Sequence, residues 1–246
     1  MSRFFVLPDK VAGDVITIDN KGDIRHIINV LRLGEGSKIE VSDSVNWEYS
    51  AEIISVDSEL IKLKILEKKR FSREPHRRIT LFQSIPKQKK MDEIVRKSIE
   101  LGVSEIIPVF TSRSIVDKKS NMIHKLERWR RIASETVKQC KRGRVPLVDE
   151  PMSFEHLLKY ITAFDLVLLP YENEIDISIK YCLKHLHTDP DRIAIIIGPE
   201  GGFEQEEVDL MTDNNAISVN LGKLVLRTET AGPTAIALVM YELEMN

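Results

Sequence analysis

The chain has 246 residues, of which 30% are charged and 42% are hydrophobic, and its formal net charge is −2. This composition is typical of a globular protein that has one large domain or two modest ones. No apolar run approaches the roughly 18 residues that cross a bilayer, and the first residues lack the apolar centre of a signal peptide. We therefore expect a cytoplasmic protein with no membrane contact.

Opposite charges are concentrated in different parts of the chain. Lys and Arg outnumber Asp and Glu in residues 62–97 and 125–144, and the balance reverses in residues 146–215. A chain of this kind can present a positive face to RNA phosphates while its net charge stays near zero. The alternative is that these charges are spread over solvated helix faces.

The two cysteines, Cys140 and Cys182, stand apart, with no CxxC pair and no histidine at metal-ligand spacing. We interpret both as reduced packing residues and expect no metal.

The N-terminal part of the chain has the pattern of short strands separated by Gly, Asp, Ser and Asn turns. The predicted strands are residues 3–6, 38–41, 49–56 and 60–66. Their spacing predicts a small β-barrel. The basic segment 68–78 follows, and it predicts a domain boundary within residues 71–76 or an ordered connector that contacts RNA.

After residue 78, strand-like runs alternate with helical segments. Apolar residues in 91–99 lie on one helical face, which ends at Gly102, and residues 125–140 show a second amphipathic helix. The predicted strands are residues 79–83, 106–110, 164–169, 192–197 and 217–220. This alternation predicts a mainly parallel sheet with right-handed crossovers, and the near-continuous apolar runs indicate strands covered on both faces.

Two matched segments near the C-terminus are the most informative feature of the sequence. In residues 195–203 (IIIGPEGGF) an apolar strand ends in a loop with three glycines, and residues 221–234 (LGKLVLRTETAGPT) lead into a polar cluster that opens a helix. Three glycines at a strand end favour close backbone approach or positive φ. Taken singly, each segment is equally well explained as a structural connection.

Together, the two segments closely resemble the GPEGG and LG-x-x-x-LR-x-ETA signatures of the ribosomal RNA small subunit methyltransferase E family, within the SPOUT superfamily. The resemblance extends over essentially the whole chain and includes residues 3–6, 30–33, 97–103 and 139–146. It implies an α/β fold: a trefoil-knotted, mainly parallel sheet with helices on both faces, preceded by a small PUA-like β-barrel. The expected domains are an RNA-binding barrel at residues 1–72 and a methyltransferase domain at residues 73–246.

The resemblance also implies a function. It predicts a homodimer that uses S-adenosylmethionine (SAM) to methylate N3 of a specific uridine of 16S rRNA near the decoding centre, with 16S rRNA in the small ribosomal subunit as partner. Two alternatives stay open: a noncatalytic RNA-binding assembly factor on the same fold, and a related enzyme that methylates another RNA position.

The cofactor site is expected where the carboxyl ends of the strands meet, because ligands of open α/β sheets bind there. Apolar side chains would cover the faces of adenine, and backbone groups would read its edge. The predicted cofactor residues are Leu169, Pro170, Ile197, Gly198, Pro199, Gly201, Leu221, Gly222, Leu224, Leu226, Thr230 and Ala231. Thr230 is equally compatible with a helix-capping role, as is Thr228.

The catalytic candidates follow from the chemistry of uridine N3. Its imide proton must leave, and negative charge then spreads to the flanking carbonyl oxygens. Arg227 is the leading candidate to stabilise that charge. Glu229 is the first candidate to accept the proton and Glu200 the second, although holding the reactants in line would supply much of the acceleration without a dedicated base.

Basic residues in both predicted domains are candidates for RNA phosphate contacts. They are Arg3, Arg25, Arg32, Lys87, Lys89, Lys90, Arg130, Arg131, Lys138, Arg142 and Arg144. Two positions depart from the family pattern: Gln88 replaces a common glycine, and Glu204 stands where Ser or Thr usually caps a helix. Low aromatic content argues against extensive base stacking.

Overall fold

The computed structural model describes residues 3–71, 74–114 and 119–245. The chain divides into two compact units, one made of Met1–Glu74 with Val137–Val145 and the other of Pro75–Thr136 with Pro146–Asn246. The sequence did not indicate that Val137–Val145 groups with the N-terminal unit. The predicted boundary between residues 72 and 73 lies outside the described residues and stays a prediction.

The N-terminal unit is built on a six-stranded sheet with the strand order β1-β4-β5-β6-β3-β2, in which only the β1–β4 pair is parallel. Its strands are β1 (Arg3–Phe5), β2 (Val11–Ala12), β3 (Val15–Ile18), β4 (Lys38–Ser42), β5 (Trp47–Val56) and β6 (Ile61–Arg70). Inward residues of these strands, such as Ile16, Ile39 and Ile53, form a fully buried core. The alternation of buried and exposed residues explains why most of these strands were predictable.

Short helical segments complete the N-terminal unit: a 3-10 turn (Pro8–Lys10), α1 (Lys21–Arg25) and a π-helical turn (His26–Val30). The Asn20 side chain caps α1 by accepting hydrogen bonds from the amides of Gly22 and Asp23. Neither these turns nor β2 and β3 were predicted.

A β-bulge at Leu66 changes which face the end of β6 presents. Before the bulge, Lys64 pairs with Glu52, whereas after it Lys68 pairs with Tyr49 and Arg70 pairs with Trp47. Paired residues share a face of the sheet, so Lys68 and Arg70 lie on the Trp47 side and Lys64 lies on the opposite side.

The C-terminal unit contains a seven-stranded sheet in which all pairs are parallel. The strand order is β10-β8-β7-β12-β11-β13, and β9 pairs with β8. The strands are β7 (Arg78–Ser84), β8 (Glu105–Phe110), β9 (Leu147–Val148), β10 (Met152–Ser153), β11 (Leu166–Pro170), β12 (Arg192–Ile197) and β13 (Ala216–Val219). The predicted parallel sheet is confirmed, and β12 has the predicted bounds.

Six helices accompany this sheet within the described residues. They are α2 (Lys90–Glu100), α3 (Lys119–Cys140), α4 (Phe154–Ile161), α5 (Ile179–Lys184), α6 (Gln205–Asp213) and α7 (Thr228–Leu243). Gly102 follows α2 with a φ of 104°, as predicted for a C′ glycine. The trefoil knot stays a prediction.

Candidate active site

Four loops meet at one edge of the parallel sheet. Strands β7, β12, β11 and β13 run side by side in the same direction, so the segments that follow Ser84, Ile197, Pro170 and Val219 emerge together. The two signature segments, which follow β12 and β13, therefore lie beside the segment that follows β11. This is the edge where the sequence placed the cofactor site.

The two signature segments touch through a buried hydroxyl. Thr228 Oγ1 donates a hydrogen bond of 2.7 Å to the carbonyl oxygen of Gly198 and accepts one of 2.9 Å from Gln83 Nε2. Gln83 is fully buried at the end of β7, and its amide also donates to the Ser84 carbonyl. Gln83 and Thr228 thus fix both segments to the central strand.

Two adjoining cavities lie between these loops. The larger holds about 280 Å³ and is lined by Lys90, Glu172, Pro199, Glu200, Gly202, Val225, Leu226, Arg227 and Thr228. The smaller holds about 100 Å³ and is lined by Pro170, Tyr171, Glu172 and residues 220–226. Glu172, Val225 and Leu226 border both cavities, so one ligand can extend from one into the other.

Lys90 lies between two carboxylates on the wall of the larger cavity. Its Nζ is 3.1 Å from Glu200 Oε1 and 3.3 Å from Glu229 Oε2. The Glu200 carboxylate also accepts hydrogen bonds from the Lys87 backbone amide. Glu229 Oε2 is buried and lies within ion-pair distance of the Lys90 ammonium.

These contacts shift the pKa values of both partners. Partial burial opposes ionisation of Glu200, but backbone hydrogen bonds and the Lys90 ammonium outweigh it, so the pKa of Glu200 is lowered. The hydrogen bond to Glu200 raises the pKa of Lys90, and Glu229 adds to this effect. Both groups are therefore charged near neutral pH, which makes Glu200 a poor proton acceptor.

Arg227 is placed to act on a ligand. It occupies the N-cap position of α7, its side chain is exposed, and it borders the larger cavity. Within residues 3–71, 74–114 and 119–245, its guanidinium makes no hydrogen bond or ion pair. Glu229 follows in the first turn of the same helix, with a side chain that is 14% exposed.

Glycine is favoured at Gly202 because its φ is 69°, a conformation that other residues rarely adopt. A Cβ there would also displace the Glu172 carboxylate. At Gly201 a Cβ would lie 3.3 Å from Cδ of Arg113, a flexible side chain that can give way. Gly222 has a φ of 124° but open space around it. The strictest backbone requirement of the site is therefore at Gly202.

The predicted cofactor residues fall into two groups. Pro170, Pro199, Leu221, Gly222, Leu224 and Leu226 line the cavities, and Gly198 and Gly201 belong to the same loops. The prediction that Leu169 and Ile197 cover a ligand is corrected, because both side chains are buried beneath the loops. Thr230 and Ala231 lie in the first turn of α7, outside the cavity linings.

The capping predictions also need correction. Arg227 occupies the N-cap of α7, and neither Thr228 nor Thr230 caps the helix with its side chain. Glu204 does begin α6, where its amide donates to Glu207 Oε2 and its carboxylate accepts two hydrogen bonds from Arg113. Gln88 has a φ of 58°, the left-handed conformation that the common glycine would adopt easily.

Sequence reasoning missed several groups that build the site. They are Gln83, Glu172 and Asn220, together with the structural role of Thr228. Gln83 had a detectable signal, since it is a polar residue at the end of an otherwise apolar central strand. Glu172 had a weaker one, its position two residues after a buried strand.

Two of the predicted RNA contacts, Arg3 and Arg142, are corrected by their surroundings, and a third, Lys90, is engaged by carboxylates. Arg3 is 7% exposed, and its guanidinium binds Glu48 at 3.0 Å, Glu40 at 3.2 Å and the carbonyls of Lys141 and Arg142. Arg142 is buried and binds the Glu74 carboxylate. Lys90 is held by the two carboxylates described above. Arg3 and Arg142 are buried beside carboxylates and cannot face phosphate, whereas the Lys90 side chain is 28% exposed and its contact with RNA stays a prediction.

The other predicted RNA-contacting residues differ in whether they already bind other protein residues. Arg25, Arg32, Lys87, Lys89, Arg130, Arg131 and Arg144 are exposed. Lys138 is partly exposed and lies 2.8 Å from Asp23. Arg130 Nε donates to the Val148 carbonyl, and Arg131 lies 4.0 Å from Glu135. Contact of these residues with RNA stays a prediction.

The comparisons with known proteins agree on one family. The model of the RNA methyltransferase domain matches residues 72–240, and that of the RNA methyltransferase PUA domain matches residues 18–66. Ribosomal RNA small subunit methyltransferase E from Bacillus subtilis is 31% identical over 100% of this chain and 98% of its own length. The chain belongs to the ribosomal RNA small subunit methyltransferase E family. The predicted family is thereby confirmed.

Other members of the ribosomal RNA small subunit methyltransferase E family agree in sequence and structure. The Aquifex aeolicus member is 31% identical over 92% of this chain and 94% of its own length. The crystal structure of the Neisseria gonorrhoeae member, bound to S-adenosyl methionine, has a TM-score of 0.84 at 27% identity and covers 98% of this chain and 97% of that one. These matches confirm the α/β fold and the PUA-like N-terminal domain.

Two further observations concern the described residues only. Among them, no helix has the length and apolarity needed to cross a membrane. The same residues contain no cluster of three or more His, Cys, Asp or Glu side chains arranged to hold a metal ion.

Proposed function

We propose that this chain is a SAM-dependent methyltransferase that converts one uridine of 16S rRNA to 3-methyluridine, in the cytoplasm and as a homodimer. The observation that carries the proposal is the cavity between the two signature segments, with the unpaired Arg227 on its wall. The B. subtilis relative, which matches this chain end to end, is named an rRNA small subunit methyltransferase.

The residues present fit a cofactor with an adenine ring and a positive charge. Pro170, Leu221, Leu224 and Leu226 offer apolar surface, and neighbouring backbone groups can read the adenine edge. Glu172 borders both cavities without an ion pair or hydrogen bond from the described residues, so its carboxylate can attract a cation. When bound, SAM supplies an electrophilic methyl group on a positively charged sulfur.

The chain's own residues would assist the reaction at the base. The N3 proton must leave as the new bond forms, and the imide then carries negative charge on its carbonyl oxygens. The Arg227 guanidinium would stabilise that charge. Glu229 is better suited than Glu200 to accept the proton, because the pKa of Glu200 is lowered by its hydrogen bonds. Lys90 would offset the charge of both carboxylates beside the forming anion.

The decisive experiment is methylation of small ribosomal subunits that lack the modification, followed by mass spectrometry of the nucleosides. We expect 3-methyluridine at a single position, dependent on both the protein and SAM. A 2′-O-methyl product or methylation of another base would establish the related enzyme instead. RNA binding with neither methylation nor SAM binding would establish the noncatalytic assembly factor.

Arg227→Ala tests the proposed mechanism separately. We expect SAM affinity measured by calorimetry to change little, because the guanidinium has no structural partner, while the methylation rate falls about 100-fold. Arg227→Lys serves as the control and should retain part of the rate, since it keeps the charge. A fully active Arg227→Ala protein would remove this residue from the mechanism.

A further inference from the structure

A cluster of cations and aromatic rings lies at one end of the β5–β6 pair in the N-terminal unit. We call it the Trp47 patch and define it as Trp47, Lys68, Arg70, Phe71 and Arg144. Lys68 Nζ is 4.2 Å from the centre of the Trp47 ring, and Arg70 Cζ is 5.5 Å from it. Arg144 Cζ lies 5.8 Å from the centre of the Phe71 ring. Each cation is thus held over a ring.

Three acidic groups near the patch bind other partners. Asp43 accepts hydrogen bonds from the amides of residues 45–47, and Glu48 binds Arg3. Glu74 accepts hydrogen bonds from Arg142 and from the amides of Gly143 and Arg144. Lys68, Arg70 and Arg144 form no ion pair with the described residues. The patch therefore keeps its positive charge.

The local backbone is built to present this surface. The bulge at Leu66 turns Lys68 and Arg70 toward Trp47, away from the face that carries Lys62 and Lys64. Arg144 is tied to the same end of the sheet because its guanidinium donates to the Val45 carbonyl, and the Phe71 amide donates to Asn46. Lys68, Arg70 and Arg144 are nonetheless exposed.

We propose that the Trp47 patch is an RNA-binding surface that contacts the phosphate backbone of the substrate. Rings hold the three cations in place without neutralising them, so less side-chain freedom is lost when phosphates bind. Guanidinium groups also match phosphate geometry. The choice of RNA as the partner rests on the proposed function. The presence of an exposed, positively charged surface rests on the contacts described above.

The test compares two double variants with equal loss of charge. Lys68→Gln/Arg70→Gln removes two patch cations, and Lys62→Gln/Lys64→Gln removes two exposed lysines from the other face of the same strand. Binding of the full-length protein to a fluorescein-labelled RNA hairpin and to unmethylated small subunits is measured by anisotropy and sedimentation over a salt series.

We expect the patch variant to bind both RNAs about tenfold more weakly, with the slope of log affinity against log salt reduced by about two. The control variant should change affinity less than about threefold. Trp47→Leu, which keeps the charge but removes the platform for Lys68, should weaken binding by an intermediate factor. SAM affinity, measured by calorimetry, should be the same in all folded variants.

Equal loss of RNA affinity in the patch and control variants would overturn the proposal. It would show that affinity depends on total charge and not on the position of these cations. Displacement of the RNA by poly-glutamate at matched charge, with the same dependence on the patch, would assign the surface to an acidic protein instead. Failure of the proposed function is distinguishable, since it would abolish methyl transfer by the wild-type protein while the patch-dependent RNA binding remained.

Discussion

Lys90 illustrates how the surroundings of a single residue decide its role. The basic segment around it predicted a phosphate contact, but its ammonium lies between Glu200 and Glu229 on the cavity wall. A positive charge in that place offsets two negative charges beside a site where an imide anion would form. Lys90 is therefore a positioning residue for the two carboxylates.

Lys90→Met should lower the methylation rate about tenfold, because the two carboxylates then oppose formation of the anion. SAM affinity should not fall, since the site becomes more attractive to a cation. The pKa of Glu200 should rise when the ammonium is lost, because Lys90 is among the groups that lower it. Methylation rates at neutral pH check the tenfold loss, with Lys90→Arg as the control that keeps the charge.

If Lys90→Met and Lys90→Arg lose the same activity, the electrostatic role of Lys90 is wrong.

Thr228 links the two signature segments through its hydroxyl. Thr228→Val keeps the shape but removes the hydroxyl donor to the Gly198 carbonyl and one of the two acceptors of the Gln83 amide, which should reduce the free energy of unfolding by about 1–3 kcal/mol. SAM affinity should also fall, because the loops lose their mutual anchor. Thr228→Ser keeps the hydroxyl and should preserve both quantities. Urea unfolding and calorimetry measure them, and equal behaviour of the two variants would contradict the linking role.

At the scale of elements, apolar patterns predicted most of the strands, and the rule that ligands bind at the carboxyl ends of parallel strands placed the two signature loops correctly at one sheet edge. The apolar pattern could not reveal contacts between residues that are far apart in the sequence. Arg3 looked like an exposed base because nothing near it in sequence shows that Glu48 and the carbonyls of residues 141 and 142 surround it. The bulge at Leu66 was invisible for the same reason, since it exists only relative to β5.

The loop after β12 gives a matched test of backbone conformation. Gly202→Ala should destabilise this loop and weaken SAM binding about tenfold or more, because the left-handed φ and the Glu172 carboxylate both oppose a methyl group. Gly201→Ala should change affinity less than about threefold, since only the flexible Arg113 side chain is near. Calorimetry on both variants is the measurement. Normal affinity in Gly202→Ala would show that the loop does not hold the cofactor.

At the scale of the whole molecule, stability depends on whether charged residues are buried. Arg3→Ala would leave the buried Glu48 without its partner, and we expect the free energy of unfolding to fall by about 3–5 kcal/mol. Arg25→Ala removes an exposed cation of the same unit and should change it by less than about 0.5 kcal/mol. Urea unfolding of the full-length variants gives both values. A small effect for Arg3→Ala would mean that its network is not structural.

The position of the cavity walls along the chain has a consequence for biosynthesis. Apart from Lys90, every lining residue lies between Pro170 and Thr228, and the sheet beneath joins Arg78 to Arg192. Pairings between such distant segments form late, because a long loop must first be closed. A nascent polypeptide that ends before Thr228 has no complete pocket, so the growing chain gains its ligand only after Thr228 has been translated.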